Sequence, residues 1–132
     1  MSEQNRFAGV SVIIIDDNDT TRAMLRAILR AEMIEVVAEA KDGANGLIMV
    51  RKLRPTLVCL DVMMPNVGGI EVLSQIKGEM PDVRVLMVTG STDRDTVQAA
   101  IQGGASGYLV KPFNGGKVIA AVETALGRKS QN

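Results

Sequence analysis

The sequence predicts an α/β domain in which a doubly wound sheet of five parallel strands carries helices on both faces. Short apolar runs rich in β-branched residues alternate five times with longer segments whose apolar residues recur every three or four positions. The connections are short, and right-handed crossovers between parallel strands place helices on both faces of a sheet. These two observations favour five helices and the strand order 2-1-3-4-5.

The first and fourth predicted strands are almost entirely apolar, as strands buried on both faces should be. The five strands are predicted at Val10 to Ile15, Ile34 to Ala38, Thr56 to Leu60, Val83 to Val88 and Gly107 to Val110.

Each of the five predicted helices has one apolar stripe. The first helix extends from about Thr20 to Glu32, and either Asn18 or Asp19 can cap its free N–H groups. The second lies near Ala44 to Leu53 and stops before Pro55. The other three are marked by Ile70, Leu73 and Ile76, by Val97, Ala100 and Ile101, and by Val118, Ile119, Val122 and Leu126.

The length of 132 residues suits one domain with its own core, predicted at residues 10–126 between polar tails at 1–9 and 127–132. Fifteen basic and fifteen acidic side chains cancel, and no basic cluster suggests nucleic acid as a direct partner. A single cysteine, Cys59, suits a reducing compartment. No apolar segment has the length of a signal peptide or a membrane span, so we expect a cytoplasmic protein without a membrane partner.

Polar and potentially reactive side chains follow four of the predicted strands. Asp16 and Asp17 follow the first strand, Asp61 the third, Thr89 the fourth and Lys111 the fifth. The carboxyl ends of the strands form the ligand-binding edge of such sheets, at the point where the strand order reverses. We therefore expect these five side chains to lie together.

Three neighbouring carboxylates repel one another unless a cation lies among them or they share a proton. Oxygen ligands alone suit Mg²⁺ or Mn²⁺, and the chain has no histidine to offer. The Thr89 hydroxyl and the Lys111 ammonium suit the outer oxygens of a phosphoryl group. Asp61 stands alone at its strand end and is the candidate nucleophile, whereas the Asp16 and Asp17 pair is better placed to hold a metal.

These residues and their surroundings resemble the response regulator receiver family, which has a flavodoxin-like fold. The resemblance covers about Val10 to Leu126. It is carried by Asp16-Asp17 after an apolar strand, Asp61 with Met64-Pro65, Gly68-Gly69, Thr89-Gly90 and Lys111-Pro112-Phe113.

The resemblance implies that Asp61 accepts a phosphoryl group from a phosphohistidine on a sensor histidine kinase or a histidine phosphotransfer protein. It implies that the backbone carbonyl of Met63 completes the metal ligands and that the Lys111-Pro112 peptide bond is cis. Thr89 and Tyr108 would form the switch that changes a surface of the fourth helix, fifth strand and fifth helix. Met63 and Ser91 would tune slow hydrolysis of the phosphoryl group.

A stand-alone regulator of the chemotaxis type is expected, which acts through a downstream protein target as a monomer or a phosphorylation-dependent dimer. We expect a signalling domain rather than an enzyme. One alternative is a receiver-like interaction module that works without phosphorylation. A second is a Mg²⁺-dependent phosphatase with an aspartyl nucleophile, although such enzymes place a second Asp two residues later, where this chain has Met63.

Overall fold

The structure, a computed structural model, describes residues 5–128. The strands are β1 (Ser11–Ile15), β2 (Glu35–Ala40), β3 (Leu57–Leu60), β4 (Arg84–Thr89) and β5 (Gly107–Val110). The helices are α1 (Asp19–Ala31), α2 (Gly43–Leu53), α3 (Gly69–Glu79), α4 (Arg94–Gln102) and α5 (Gly115–Ala125). All strand pairs are parallel, in the order β2-β1-β3-β4-β5. The predicted fold class and strand order are confirmed.

Two apolar cores lie on opposite faces of this sheet. Successive residues of a strand face opposite sides, so Val12 and Ile14 join one core while Ile13 and Ile15 join the other. The first core packs beneath α1 and α5, and the second beneath α2, α3 and α4. All four side chains are fully buried, which explains the unbroken apolar run of β1.

Strand β2 extends two residues beyond its predicted end at Ala38, to Ala40. Glu39 is a weak strand former, but the Glu39 carboxylate lies 3.5 Å from Arg22 Nε and 2.6 Å from Arg26 Nη1. Because β2 is an edge strand beside α1, this pairing accommodates a charged residue that the sequence pattern places in a loop.

Helix α1 is capped by Asn18, whose side-chain oxygen accepts a hydrogen bond from the Thr21 N–H at 2.9 Å. Of the two predicted caps, Asn18 therefore holds this position and Asp19 is the first helical residue. Within residues 5–128, no helix combines the length and apolar character needed to cross a membrane.

Phe7 lies in a segment predicted as a polar tail, yet its side chain is only 2% exposed and joins the core beneath α1 and α5. The Arg6 and Arg128 guanidinium groups lie 4.9 Å and 5.4 Å from its ring centre. Arg6 also pairs with the buried Glu123 carboxylate of α5. The described ends of both predicted tails thus pack on the domain, because an aromatic ring gains from burial. Residues 1–4 and 129–132 of those tails lie outside the described residues.

Candidate functional site

The carboxyl ends of β1, β3 and β5 bring four of the predicted side chains together. One carboxylate oxygen from each of Asp16, Asp17 and Asp61 lies within 4.8 Å of the others. Lys111 Nζ lies 3.2 Å from Asp16 Oδ2 and 3.9 Å from Asp61 Oδ1. Thr89 ends β4, between the strands that precede Asp61 and Lys111. The site therefore lies at the edge predicted from the strand order.

Several hydrogen bonds fix Asp16, but one of its carboxylate oxygens makes none. Its side chain is 1% exposed, its N–H donates to the Ala40 carbonyl at 3.0 Å, and its Oδ1 accepts from the Asn18 N–H at 2.8 Å. Oδ2 is buried and makes no hydrogen bond, although it lies 3.2 Å from Lys111 Nζ at ion-pair distance. A buried carboxylate oxygen is costly unless a cation or donor faces it. The exposed Asp17 and the buried Asp61 complete an oxygen site that fits a divalent cation.

Asp61 is 4% exposed and anchored to the sheet by its N–H, which donates to the Ile15 carbonyl at 2.9 Å. Burial, followed by repulsion from Asp16, raises the pKa of the Asp61 carboxyl from 3.8 to about 6, and Lys111 opposes this rise. Its Oδ1 accepts only a long hydrogen bond, 3.4 Å from the Met63 N–H. The carboxylate is thus weakly hydrogen-bonded and close to other charges.

Thr89, Ser91 and Tyr108 form a short chain of hydrogen bonds beside the carboxylates. The buried Thr89 Oγ1 accepts from the Ser91 N–H at 3.2 Å, and the Tyr108 hydroxyl donates to the Ser91 carbonyl at 2.9 Å. Burial, followed by the nearby Asp93, raises the pKa of the half-buried Tyr108. Thr89 and Tyr108 are therefore linked through one intervening residue, Ser91.

The loops after β3 and β5 contain the remaining predicted residues. Met63 lies in the loop after Asp61, and its side chain is 68% exposed. The Lys111–Pro112 peptide bond is cis, and the Lys111 N–H donates to the Thr89 carbonyl at 2.8 Å.

Two further residues define the site. Gly69 begins α3 in close contact with the end of β3, where a Cβ atom would lie 2.0 Å from the Asp61 carbonyl oxygen. Arg22 of α1 donates from Nη1 to the Asp16 carbonyl at 2.7 Å. The Gly68-Gly69 pair in the sequence already indicated that Gly69 has a special role. No sequence signal identifies Arg22, because its role depends on how α1 lies against β1.

This arrangement brings three carboxylates and one ammonium together at the edge of the sheet where β4 ends in Thr89. Residues 12–123 match the family model described as the response regulator receiver domain, and the chain belongs to that family. It is a receiver of two-component signalling, whose function depends on phosphorylation. The predicted family and function are confirmed, and neither alternative is favoured.

Known relatives include both short and long proteins. The chain is 36% identical over 115 residues to the chemotaxis protein CheY of Bacillus subtilis, covering 87% of this chain and 96% of that protein. It is 36% identical over 124 residues to the transcriptional regulatory protein DegU of Brevibacillus brevis, covering 93% of this chain but 52% of DegU. The chain thus spans nearly the full length of some relatives and about half of others.

Solved structures show the same fold. Vibrio cholerae chemotaxis protein CheY4 is similar with a TM-score of 0.83 and 30% identity, over 90% of this chain and all of that one (100%). A chain of the CheX-CheY-BeF3-Mg²⁺ complex from Borrelia burgdorferi is similar with a TM-score of 0.84 and 29% identity, over 87% of each chain.

Replacing Asp61 by asparagine is expected to stabilise the metal-free protein at pH 7.5 by about 1–3 kcal/mol, since each pKa unit corresponds to about 1.36 kcal/mol. Ionising Asp61 costs more in the folded state, because the folded pKa of about 6 exceeds the ordinary value of 3.8. This cost is complete above pH 6 and disappears as the pH falls below 3.8. Urea unfolding in EDTA, followed by circular dichroism at pH 7.5 and pH 4, measures the difference.

The exposed Asp82, before β4 at the opposite edge of the sheet, supplies the control. Asp82→Asn, an exposed surface substitution, is expected to change stability at pH 7.5 by no more than about 0.5 kcal/mol. Equal stability of Asp61→Asn and the unchanged protein at pH 7.5 would contradict the raised pKa.

Proposed function

We propose that Asp61 accepts a phosphoryl group from a phosphohistidine on a sensor histidine kinase or histidine phosphotransfer protein. The observation that carries this proposal is the carboxylate cluster of Asp16, Asp17 and Asp61, with Lys111 Nζ 3.9 Å from Asp61 Oδ1. These 132 residues contain no histidine, so the phosphohistidine lies outside them. The proposed receiver comprises residues 10–126, in a protein that works in the cytoplasm.

In the proposed reaction, a carboxylate oxygen of Asp61 attacks phosphorus as the phosphorus–nitrogen bond of the phosphohistidine breaks. The imidazole nitrogen keeps the electron pair of that bond, and Asp61 becomes an acyl phosphate. Lys111 and Thr89 bind the outer phosphoryl oxygens, one with a positive charge and the other with a hydroxyl donor. Asp61 must be ionised to attack, and the Lys111 ammonium favours its ionised form.

The carboxylates of Asp16, Asp17 and Asp61, with the backbone carbonyl of Met63, would hold Mg²⁺ or Mn²⁺. When bound, the ion supplies positive charge that offsets the carboxylates and the phosphoryl oxygens. Two observations support this assignment. The buried Asp16 Oδ2 makes no hydrogen bond and has one ammonium at 3.2 Å in a cluster of three carboxylates, and a related CheY was solved in a complex that contains BeF3 and Mg²⁺.

We further propose that the phosphoryl group recruits the Thr89 hydroxyl and breaks the hydrogen-bond chain to Tyr108. Tyr108 then turns inward and changes the surface of α4, β5 and α5. The exposed apolar side chains of Ile101 and Val110 on α4 and β5 suit a protein target, reached as a monomer or a phosphorylation-dependent dimer. The proposed partners include neither nucleic acid nor a membrane.

We propose a signalling domain rather than a turnover enzyme, in which Met63 and Ser91 tune slow loss of the phosphoryl group. Met63 offers no acid or base two residues after Asp61, so nothing at that position activates water for hydrolysis. The Ser91 N–H donates to Thr89 Oγ1 at 3.2 Å, so Ser91 contacts the hydroxyl that would bind the phosphoryl group.

The test is incubation with Mg²⁺ and acetyl phosphate, followed by intact-mass measurement. The protein is expected to gain one phosphoryl group, which requires Mg²⁺ and is lost in Asp61→Asn but kept in Asp82→Asn. No adduct in the unchanged protein would exclude the proposal and favour a phosphorylation-independent module. Rapid release of inorganic phosphate over many turnovers would favour the phosphatase.

A further inference from the structure

Arg22 connects helix α1 to the backbone of the acidic pair. Its guanidinium donates from Nη1 to the Asp16 carbonyl at 2.7 Å. That carbonyl belongs to the peptide group between Asp16 and Asp17. The side chain is only 15% exposed, so this contact is protected from solvent. Both acidic residues therefore depend on one peptide group that Arg22 holds in place.

The other contacts of Arg22 fix the direction of its guanidinium. Nη2 pairs with the Asp19 carboxylate on the same helix, and Nε lies 3.5 Å from Glu39 Oε1 on β2. Two hydrogen-bond acceptors and a third oxygen at ion-pair distance thus face the planar donor set of one guanidinium, an arrangement that a lysine ammonium on a flexible stem cannot reproduce. Because two carboxylates face one guanidinium, Arg22 adds no net positive charge to this neighbourhood.

The contacts of Asp16 leave few ways for its carboxylate to move. The Asp16 N–H is held by the Ala40 carbonyl at 3.0 Å, and its carbonyl by Arg22. Oδ1 accepts from the Asn18 N–H at 2.8 Å, while Oδ2 makes no hydrogen bond and lies 3.2 Å from Lys111 Nζ. This bracing holds the Asp16 carboxylate in the cluster with Asp17 and Asp61, where the divalent cation would bind.

We infer that Arg22 is a positioning residue that keeps the Asp16 and Asp17 carboxylates in the geometry that binds Mg²⁺. This inference rests on the proposed function, since it concerns the same metal site. Arg22 does not touch the cation or the phosphoryl group. It acts through the Asp16 peptide group. Loss of Arg22 therefore lowers metal affinity directly and affects phosphoryl transfer to Asp61 only as a consequence.

Charge and positioning predict opposite results when Arg22 is replaced by methionine. If Arg22 acted only through its positive charge, removing it would leave the Asp19 carboxylate uncompensated and Glu39 paired with Arg26 alone, and Mg²⁺ binding would tighten. If it positions the acidic pair, the same change weakens Mg²⁺ binding by about tenfold or more, as for other groups that orient metal ligands. The sign of the change separates the two.

Arg26 offers a matched control on the same helix. It pairs with the same Glu39 carboxylate, at 2.6 Å from Nη1 to Oε2, but makes no contact with Asp16. Arg26→Met therefore removes one positive charge and one Glu39 contact and leaves the acidic pair in place.

The experiment titrates MgCl2 into the full chain by isothermal calorimetry, because the protein contains no tryptophan to report binding. Urea unfolding in EDTA measures the stability of each variant separately. We expect Arg22→Met to bind Mg²⁺ about tenfold more weakly or worse, and Arg26→Met to stay within about twofold of the unchanged protein. Arg22→Lys is expected to behave like Arg22→Met, and it carries the test if the methionine variant does not fold.

Unchanged or tighter Mg²⁺ binding by Arg22→Met would overturn the inference, as would an equal loss in Arg26→Met. Arg22→Lys with unchanged affinity would overturn it too. These results leave the proposed function intact. An unchanged protein that shows no saturable Mg²⁺ binding would remove the proposed function and this inference with it.

Discussion

Replacing Lys111 by methionine is expected to slow Mg²⁺-dependent phosphorylation of Asp61 about 100-fold or more, the usual cost of losing one donor aimed at developing negative charge. Lys111 Nζ lies 3.2 Å from Asp16 Oδ2 and 3.9 Å from Asp61 Oδ1, so its ammonium is within reach of an incoming phosphoryl oxygen. Methionine keeps much of the length of the stem but carries no charge and no donor. The measurement is the rate at which intact mass increases with acetyl phosphate at saturating Mg²⁺.

Mg²⁺ binding is expected to respond differently to the same substitution. An ammonium beside three carboxylates competes with a divalent cation, so Lys111→Met should bind Mg²⁺ at least as tightly as the unchanged protein. Its defect would then lie in phosphoryl transfer rather than in metal binding. The exposed Lys117 in the first turn of α5 supplies the control, and Lys117→Met should be phosphorylated at the normal rate. A normal rate in Lys111→Met would contradict the role assigned to Lys111.

The positions of the main site residues could be predicted because the order of the strands determines which strand ends meet. Asp16 and Asp61 are distant in sequence, yet β1 and β3 are neighbours, and their carboxyl ends lie at the same edge. A buried parallel strand has an apolar signal that ends sharply, so the first polar residue after it is easy to identify. The same apolar runs, alternating with helices, supported the predicted strand order.

Features that depend on contacts between elements could not be predicted in this way. Phe7 reads as an apolar residue in a polar segment, and only the packing of α1 and α5 provides the space that buries it. Glu39 is unfavourable in a strand until Arg22 and Arg26 are placed opposite it. Each of these residues is defined by a partner far along the chain, and local pattern contains no information about such partners.

Gly69 is noticeable in the sequence as part of the Gly68-Gly69 pair, but only the structure shows why a glycine is needed there. Replacing Gly69 by alanine is expected to lower the free energy of unfolding by about 3 kcal/mol, at the upper end of the usual cost of overpacking a buried contact. The added Cβ would lie 2.0 Å from the Asp61 carbonyl oxygen and 2.7 Å from Val62 Cα, so either α3 or the end of β3 must move. Both are backbone atoms, which cannot turn aside as a flexible side chain can.

The matched control lies on the same helix. A Cβ atom at the exposed Gly78, near the end of α3, would meet nothing within 4 Å, and Gly78→Ala is expected to stabilise the protein by about 0.5–1 kcal/mol. Urea unfolding followed by circular dichroism in EDTA measures both variants. Because the Gly69 substitution displaces the segment that carries Asp61, its Mg²⁺ affinity should also fall, while that of Gly78→Ala should not. Equal stability of the two variants would mean that α3 can shift without cost, and Gly69 would then not be needed to bring this helix against the site.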